Sequence, residues 1–119
     1  LFIVGGASAS GDIDVGIYSD NGALIVSSGS TAYSTASNGS PVTFNVTDTV
    51  LNPGAYYFAV AMSDTQAQIQ QASPSVAIVR VLGIKAQVGA IPLPSSISGS
   101  AASQARLPLV GAMTIGTVI

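Results

Sequence analysis

The sequence has very few charged residues: only 7% are Asp, Glu, Lys or Arg, against about 25% in an ordinary soluble domain. Glutamate is missing altogether, and Ser, Thr, Asn and Gly occupy positions where Lys and Glu are common. Since a free monomer normally relies on surface charge for solubility, so neutral a surface favours a protein whose faces meet other subunits. The alternative is a surface that resists charge-driven contacts.

Histidine and cysteine are absent as well, which excludes disulfides, thiolate chemistry and imidazole catalysis. Acid–base chemistry would depend on the aspartates, the tyrosines and one lysine. Asp12 and Asp14 are the only close carboxylate pair, and strand alternation places both on a solvated face. We therefore expect no enzyme, no catalytic residue and no cofactor.

A calcium site is the other use that the two aspartates could have. Calcium prefers oxygen ligands, and Asp20 or Asn21 would complete the set. The spacing does not match the calcium loop of an EF-hand, so we expect no bound metal.

Positive charge is scarce too, because the net charge is −2 and the only cations are Arg80, Lys85 and Arg106. This excludes the clustered basic surface that nucleic-acid binding needs. The apolar run over residues 55–62 is far shorter than the roughly 20 residues that span a bilayer. We expect neither nucleic acid nor membrane insertion.

An apolar–polar alternation of period two dominates the remaining sequence. Ile13, Val15 and Ile17 alternate with polar residues, which predicts a half-buried strand whose outward face carries Tyr18. Asn21-Gly22 predicts a hairpin turn, since both residues tolerate positive φ. Further strands are predicted over residues 23–27 and 42–47.

The stretch LNPGAYYFAVAM, residues 51–62, predicts a turn followed by a strand. Pro53 presets φ and Gly54 supplies a left-handed position, which indicates a type II turn. Tyr56 or Tyr57 is placed to send its hydroxyl back across the turn, as in a tyrosine corner. Both faces of the strand are apolar, which predicts a central strand covered on one side by a layer partly from a neighbouring chain.

The second half of the chain gives weaker signals. Residues 63–75 predict a loop with one helical turn at most, residues 76–84 a strand, residues 92–105 a flexible connector and residues 107–119 a last strand or two. Together these features predict an all-β fold, an antiparallel β-sandwich or jelly roll of about six to eight short strands. We expect residues 1–119 to form one domain.

Two polar loops, residues 28–40 and 95–105, suggest binding, because loops on a rigid sandwich often carry recognition. Tyr18, Tyr33 and Asn38 are the candidate contacts for a glycan or receptor at a host surface. Asn21, Gly22, Pro53, Gly54 and Tyr56 are assigned to structural turns.

Three stretches carry a resemblance: VGIYSDNGALIVSSGST, TDTVLNPGAYYFAVA and IPLPSSIS…RLPLVG, within residues 15–31, 47–61 and 91–111. They resemble β-sandwich modules of tailed-bacteriophage virion proteins, of the tail-fibre, head-fibre or capsid-decoration type. The resemblance implies a structural component of an extracellular particle that docks on it or forms a homo-oligomer, with a trimer favoured, and that aids host attachment. It implies no catalytic residues. Because the chain starts within a strand-like run, we expect a fragment or C-terminal module of a longer chain.

Overall fold

The computed structural model describes residues 1–35, 37–83, 85–87, 91–101 and 106–113, without the side chains of Arg80, Ala86 and Ala101. In these residues the chain forms eleven short strands and one helix. They are β1 (Phe2–Val4), β2 (Asp12–Ser19), β3 (Leu24–Ser27), β4 (Thr31–Ala32), β5 (Pro41–Thr43), β6 (Tyr56–Met62), β7 (Gln71–Ala72), α1 (Val76–Val81), β8 (Lys85–Ala86), β9 (Ser100–Ala101), β10 (Leu107–Pro108) and β11 (Val110–Gly111). All strand pairs are antiparallel. The predicted all-β class is confirmed, with more and shorter strands than expected.

The largest sheet is built around β2. Strands β3 and β4 pair with one edge of β2, and β6 pairs with the other edge from Ile13–Met62 to Ser19–Tyr56. Within the described residues β6 has no second partner strand. In the described part of the chain β2 is central and β6 lies at the edge, so the prediction that residues 56–62 form a central strand is wrong there.

A second sheet, in the order β11–β1–β5, shares a core with the first. Two further ribbons, β7–β10 and β8–β9, have two strands each. The shared core, here the first core cluster, comprises Ile3, Ile13, Val15, Tyr33, Phe44 and Ala67. This cluster contains side chains of β1 and of the odd-numbered residues of β2. The odd-numbered side chains of β2 therefore point into the core, as predicted.

The even-numbered face of β2 is buried too, by residues 91–97, which we call the strap. Leu93 packs with Tyr18 and Ala61 in a second core cluster. The Leu93 amide donates to Asp14 Oδ2 at 2.8 Å, and the Tyr18 hydroxyl donates to the Pro94 carbonyl at 2.7 Å. The predictions that Asp14 is solvated and that Tyr18 faces outward are wrong, because the chain itself covers this face.

Backbone hydrogen bonds also tie the strap to the β2–β3 hairpin. The Leu24 amide donates to the Ser95 carbonyl at 2.8 Å, and the Ile97 amide donates to the Gly22 carbonyl at 2.9 Å. The flexible connector predicted over residues 92–105 is therefore wrong over the strap. Residues 102–105 lie outside the described part of the chain, as do residues 114–119 at the end of the predicted last strand.

The run after Pro74, predicted as a strand over residues 76–84, begins as helix α1. Ser75 precedes the helix, and its Oγ accepts from the Ile78 amide at 3.4 Å, as an N-cap does. Gly83, at φ +71°, follows the helix in the left-handed conformation of a C-terminal cap. Val79 is fully buried. These caps outweigh the β-branched composition, which favours a strand.

The Asn21-Gly22 hairpin is confirmed, but its turn differs from the predicted one. Of the three loop residues Asp20, Asn21 and Gly22, only Gly22 has positive φ, at +85°. The Gly22 amide donates to the Ser19 carbonyl, and the Ser19 amide donates to the Ala23 carbonyl, both at 2.9 Å. The loop thus has three residues and ends on a left-handed glycine, which is the next most common hairpin connection.

The type II turn predicted at Pro53-Gly54 is wrong. Gly54 is not among the described glycines with positive φ, and Asn52 and Ala55 are not joined by a backbone hydrogen bond. The residues form a bend, and the Tyr56 hydroxyl donates to the Asn52 carbonyl at 2.5 Å. The predicted hydroxyl bond across the turn is present, and it holds the bend without a left-handed residue.

Gly22 and Gly54 form a matched pair for testing this difference. A Cβ at either position would first meet a neighbouring atom at 3.7 Å, so neither site is crowded. We expect Gly22→Ala to lower the free energy of unfolding by about 1–2 kcal/mol, because alanine is strained in the left-handed region. Gly54→Ala should change it by less than about 0.5 kcal/mol. Urea denaturation of both variants checks this, and equal losses would contradict the assigned backbone conformations.

Candidate functional site

A groove of about 410 Å³ lies along the outer edge of β6, here the β6 groove. Its floor is formed by Tyr56–Val60 of β6. The remaining lining residues are Tyr18, Leu82, Gly83, Lys85, Gln87, Leu93, Pro94, Ile97, Leu107, Pro108 and Val110. Most of them are apolar or aromatic, as is usual for binding clefts of this size.

The β6 groove has two walls, one on each face of the sheet that contains β2 and β6. On one side Lys85 and Gly83 approach the ring of Tyr57, which neighbours the second core cluster. On the other side Val110 packs against the first core cluster. The edge of β6 thus lies between two layers of side chains.

The backbone of β6 is open on this edge. The Ser63 amide donates to the Asp12 carbonyl at 3.0 Å, which fixes the alternation of the β2–β6 ladder. In an antiparallel ladder every second residue then points its N–H and C=O away from the partner. In β6 these residues are Tyr56, Phe58, Val60 and Met62, and in the described part of the chain none has a backbone partner on the outer side.

The sequence of β6 itself carries none of the features that usually protect an edge. It contains no proline and no charged residue, and its register with β2 runs without a bulge. Phe58 is 44% exposed. Natural proteins normally interrupt such an edge with lysine, proline or a bulge, because an open edge invites pairing with another strand.

Lys85 gives the β6 groove its only charge among the described lining residues. Its Nζ lies 5.7 Å from the centroid of the Tyr57 ring, within the range of a cation–π contact. A partner that fills the groove would therefore be apolar, with an acceptor or an anionic group near Lys85.

At the inner end of the groove, Tyr18 is only 1% exposed. Burial raises the pKa of its hydroxyl above the ordinary value, and the nearby Asp14 carboxylate raises it further. Both effects disfavour the phenolate, so the folded protein holds the neutral hydroxyl that donates to Pro94.

The Tyr18 shift predicts a loss of stability in alkali. The pKa of the Tyr18 hydroxyl is higher in the folded chain than in the unfolded chain, where it is about 10. The stabilisation from the neutral hydroxyl is therefore fully present below the unfolded pKa, and it is lost as the pH rises through the folded pKa. We expect the difference in unfolding free energy between the wild type and Tyr18→Phe to narrow above about pH 10. Urea denaturation of both proteins across this range tests it, and a constant difference would contradict the shift.

The three residues predicted as glycan contacts, Tyr18, Tyr33 and Asn38, lie in different surroundings. Tyr33 is 2% exposed, and its hydroxyl donates to the Gln68 carbonyl at 2.9 Å. Tyr18 and Tyr33 belong to different core clusters, on opposite faces of β2. Asn38 is exposed as predicted, and its Oδ1 accepts from Gln70 Nε2 at 2.8 Å.

The two aspartates considered for catalysis or calcium have different surroundings. Asp12 is exposed, and its Oδ2 accepts from the Ser30 hydroxyl at 3.1 Å. Asp14 is fully buried, with Leu93 and Ser28 as its donors. Neither lines the β6 groove. Among the described residues no group of three His, Cys, Asp or Glu side chains is placed to hold a metal ion, and no helix there has the length and apolarity to cross a membrane.

A second feature of the surface is an exposed segment, residues 45–55, here the arm. The strand predicted over residues 42–47 ends at Thr43, and the arm makes no backbone hydrogen bond with the rest of the described chain. Val50 is 90% exposed and Leu51 39%. The arm leads directly into β6 at Tyr56.

Sequence reasoning identified β6 but missed the groove beside it. Lys85, Leu93 and Val110 come from three separate segments that tertiary packing brings to one edge. No local pattern marks them. The only signal in the sequence was the uncharged apolar run of β6, which had been interpreted as a central strand.

Searches of the chain against protein-family models, curated protein sequences and solved structures find no match. These comparisons supply no role for the chain. The β6 groove, the arm and the composition are the features that bear on its function.

Proposed function

We propose that the chain is a structural module of a tailed-bacteriophage virion, a fibre or capsid-decoration β domain that assembles with copies of itself or with other virion subunits. The observation that carries the proposal is the unprotected edge of β6 in an apolar groove. Such an edge favours pairing with another chain, and a protein that assembles in a symmetric array uses this property.

The surface composition supports the same proposal. Large hydrophobic side chains are exposed in several regions of the described chain: Ile25, Val50, Leu51, Phe58, Ile78, Val81, Leu82, Leu109 and Met113. Only 7% of the residues carry charge to offset them. Exposed apolar surface with little charge is typical of surfaces that contact other proteins.

The sequence resemblance to phage virion modules supports assembly within an extracellular particle. It covers residues 15–31, 47–61 and 91–111. The glycan-binding alternative, through loops 28–40 and 95–105, is weaker, because Tyr18 and Tyr33 are buried. Asn38 is then the one exposed residue left of the three candidate contacts.

The experiment that tests assembly is light scattering of the purified chain over a concentration series. We expect a mass that is a multiple of 11.8 kDa, with a trimer favoured, and a smaller species only on dilution. A glycan array run on the same preparation tests the alternative. A monomer at every concentration would contradict the proposal, and saturable glycan binding by that monomer would replace it.

A further inference from the structure

We propose that the arm of one copy enters the β6 groove of a second copy and adds a strand to β6. This inference rests on the proposed function, because it names the surfaces through which the module would assemble. The partner is a second copy of this chain, and the inserted segment is residues 45–52. Pro53 ends that segment, because proline has no N–H to donate to a ladder.

Backbone hydrogen bonding gives the first argument. The outward N–H and C=O groups of Phe58 and Val60 have no backbone partner in the described chain, and neither do those of the arm. Adding the arm as a strand would pair the outward backbone groups of β6 with those of the arm. Such main-chain hydrogen bonds supply affinity and do not depend on particular side chains. The described part of one chain thus carries both a strand edge and a segment whose backbone groups have no backbone partner.

The arm does not pair with its own β6, although it immediately precedes it. No ladder bond joins the two, and the bond from the Tyr56 hydroxyl to the Asn52 carbonyl fixes the bend between them. The edge therefore stays available to the arm of another copy.

Charge complementarity gives the second argument. Asp48 is the only charged residue of the arm, and Lys85 is the only charged residue among the described lining of the β6 groove. Their opposite signs favour arm-in-groove contact, while two arms or two grooves would bring like charges together. Polar rim pairs of this kind fix register and choice of partner.

The contact is heterologous, because the arm of one copy meets a different surface on the next. A heterologous contact closes into a ring when its rotation permits and otherwise builds a filament. A ring of three is the trimer favoured for the module, with three identical arm–groove contacts.

Charge reversal tests the inference with a built-in rescue. Asp48→Lys and Lys85→Asp each place like charges in every arm–groove contact of a homogeneous sample. We expect each variant to associate about tenfold more weakly than the wild type, or worse. The double variant Asp48→Lys/Lys85→Asp carries opposite charges again in every arm–groove contact, so we expect its mass in light scattering to return to that of the wild type.

Two exposed residues outside both surfaces provide matched controls. Asp20→Lys and Arg106→Asp make the same changes in net charge, and neither residue lies in the arm or among the residues lining the groove. Both should associate like the wild type. Far-UV circular dichroism checks that every variant is folded.

A labelled peptide of residues 45–52 gives a second measurement. It should bind the wild type saturably and compete with assembly, and Lys85→Asp should weaken its binding by a similar factor. If the wild type assembles and both single reversals associate as strongly as it does, the arm–groove contact is overturned while the proposed function stands. A wild type that stays monomeric overturns both.

Discussion

Replacing Asp14 by alanine should lower the free energy of unfolding by about 1–3 kcal/mol, the cost of leaving one buried donor unpaired. The Leu93 amide donates to Asp14 Oδ2 at 2.8 Å, and the Ser28 hydroxyl donates to Oδ1 at 3.3 Å. The buried Leu93 amide would lose its acceptor, whereas the half-buried Ser28 hydroxyl keeps the Gly29 carbonyl as an acceptor at 3.1 Å. Since a domain has only about 5–15 kcal/mol in total, this is a large share.

Urea denaturation at a fixed protein concentration measures the loss. Asp12→Ala is the matched control, because Asp12 lies on the same strand but is exposed; its change should stay within about 0.5 kcal/mol. Asp14→Asn keeps one amide oxygen as an acceptor and should fall between the two. If Asp14→Ala and Asp12→Ala lose the same amount, the strap is not anchored through Asp14.

Phe44→Ala should lower the free energy of unfolding by about 3–5 kcal/mol, the usual cost of removing a buried aromatic ring. Phe44 is 9% exposed and belongs to the first core cluster, which β1 and β2 share. Its backbone also pairs with Leu1, whose amino group and carbonyl both bond to it. The ring therefore joins the two larger sheets, and the cavity left by alanine would lie between them.

Phe58→Ala is the control for Phe44→Ala, since it deletes the same side chain from the open edge of β6. Phe58 is 44% exposed, and we expect a loss below about 1.5 kcal/mol. Both variants have to be compared at one dilute concentration, because association would add to apparent stability. Equal losses would contradict the assignment of Phe44 to the core.

The elements that sequence reasoning predicted are those fixed by neighbouring residues. Strand β2 and the Asn21-Gly22 hairpin follow from local alternation and a turn signal, and strand β6 follows from its uncharged apolar run. Helix α1 was missed because its β-branched residues indicated a strand, whereas its caps at Ser75 and Gly83 decide the local structure.

Contacts between distant segments were beyond the reach of the sequence. Tyr18 and Asp14 alternate correctly for an outward face, and nothing near them shows that the strap will cover that face. Tyr33 lies in a polar stretch, yet the Gln68 carbonyl accepts its hydroxyl within the core. The β6 groove was invisible for the same reason, since its walls come from segments far apart in the chain.

The strap also sets the order in which the protein acquires its structure. Asp14 and Leu93 are 79 positions apart, and Tyr18 and Pro94 are 76 apart. Contacts of such high sequence separation slow folding, because the chain entropy of a long loop is lost before they form. On the ribosome β2 and β6 can pair as soon as Met62 has emerged. The face that carries Tyr18 stays exposed to water until the strap has also emerged. A nascent chain paused between these points presents a half-covered sheet, the kind of intermediate that aggregates or recruits a chaperone.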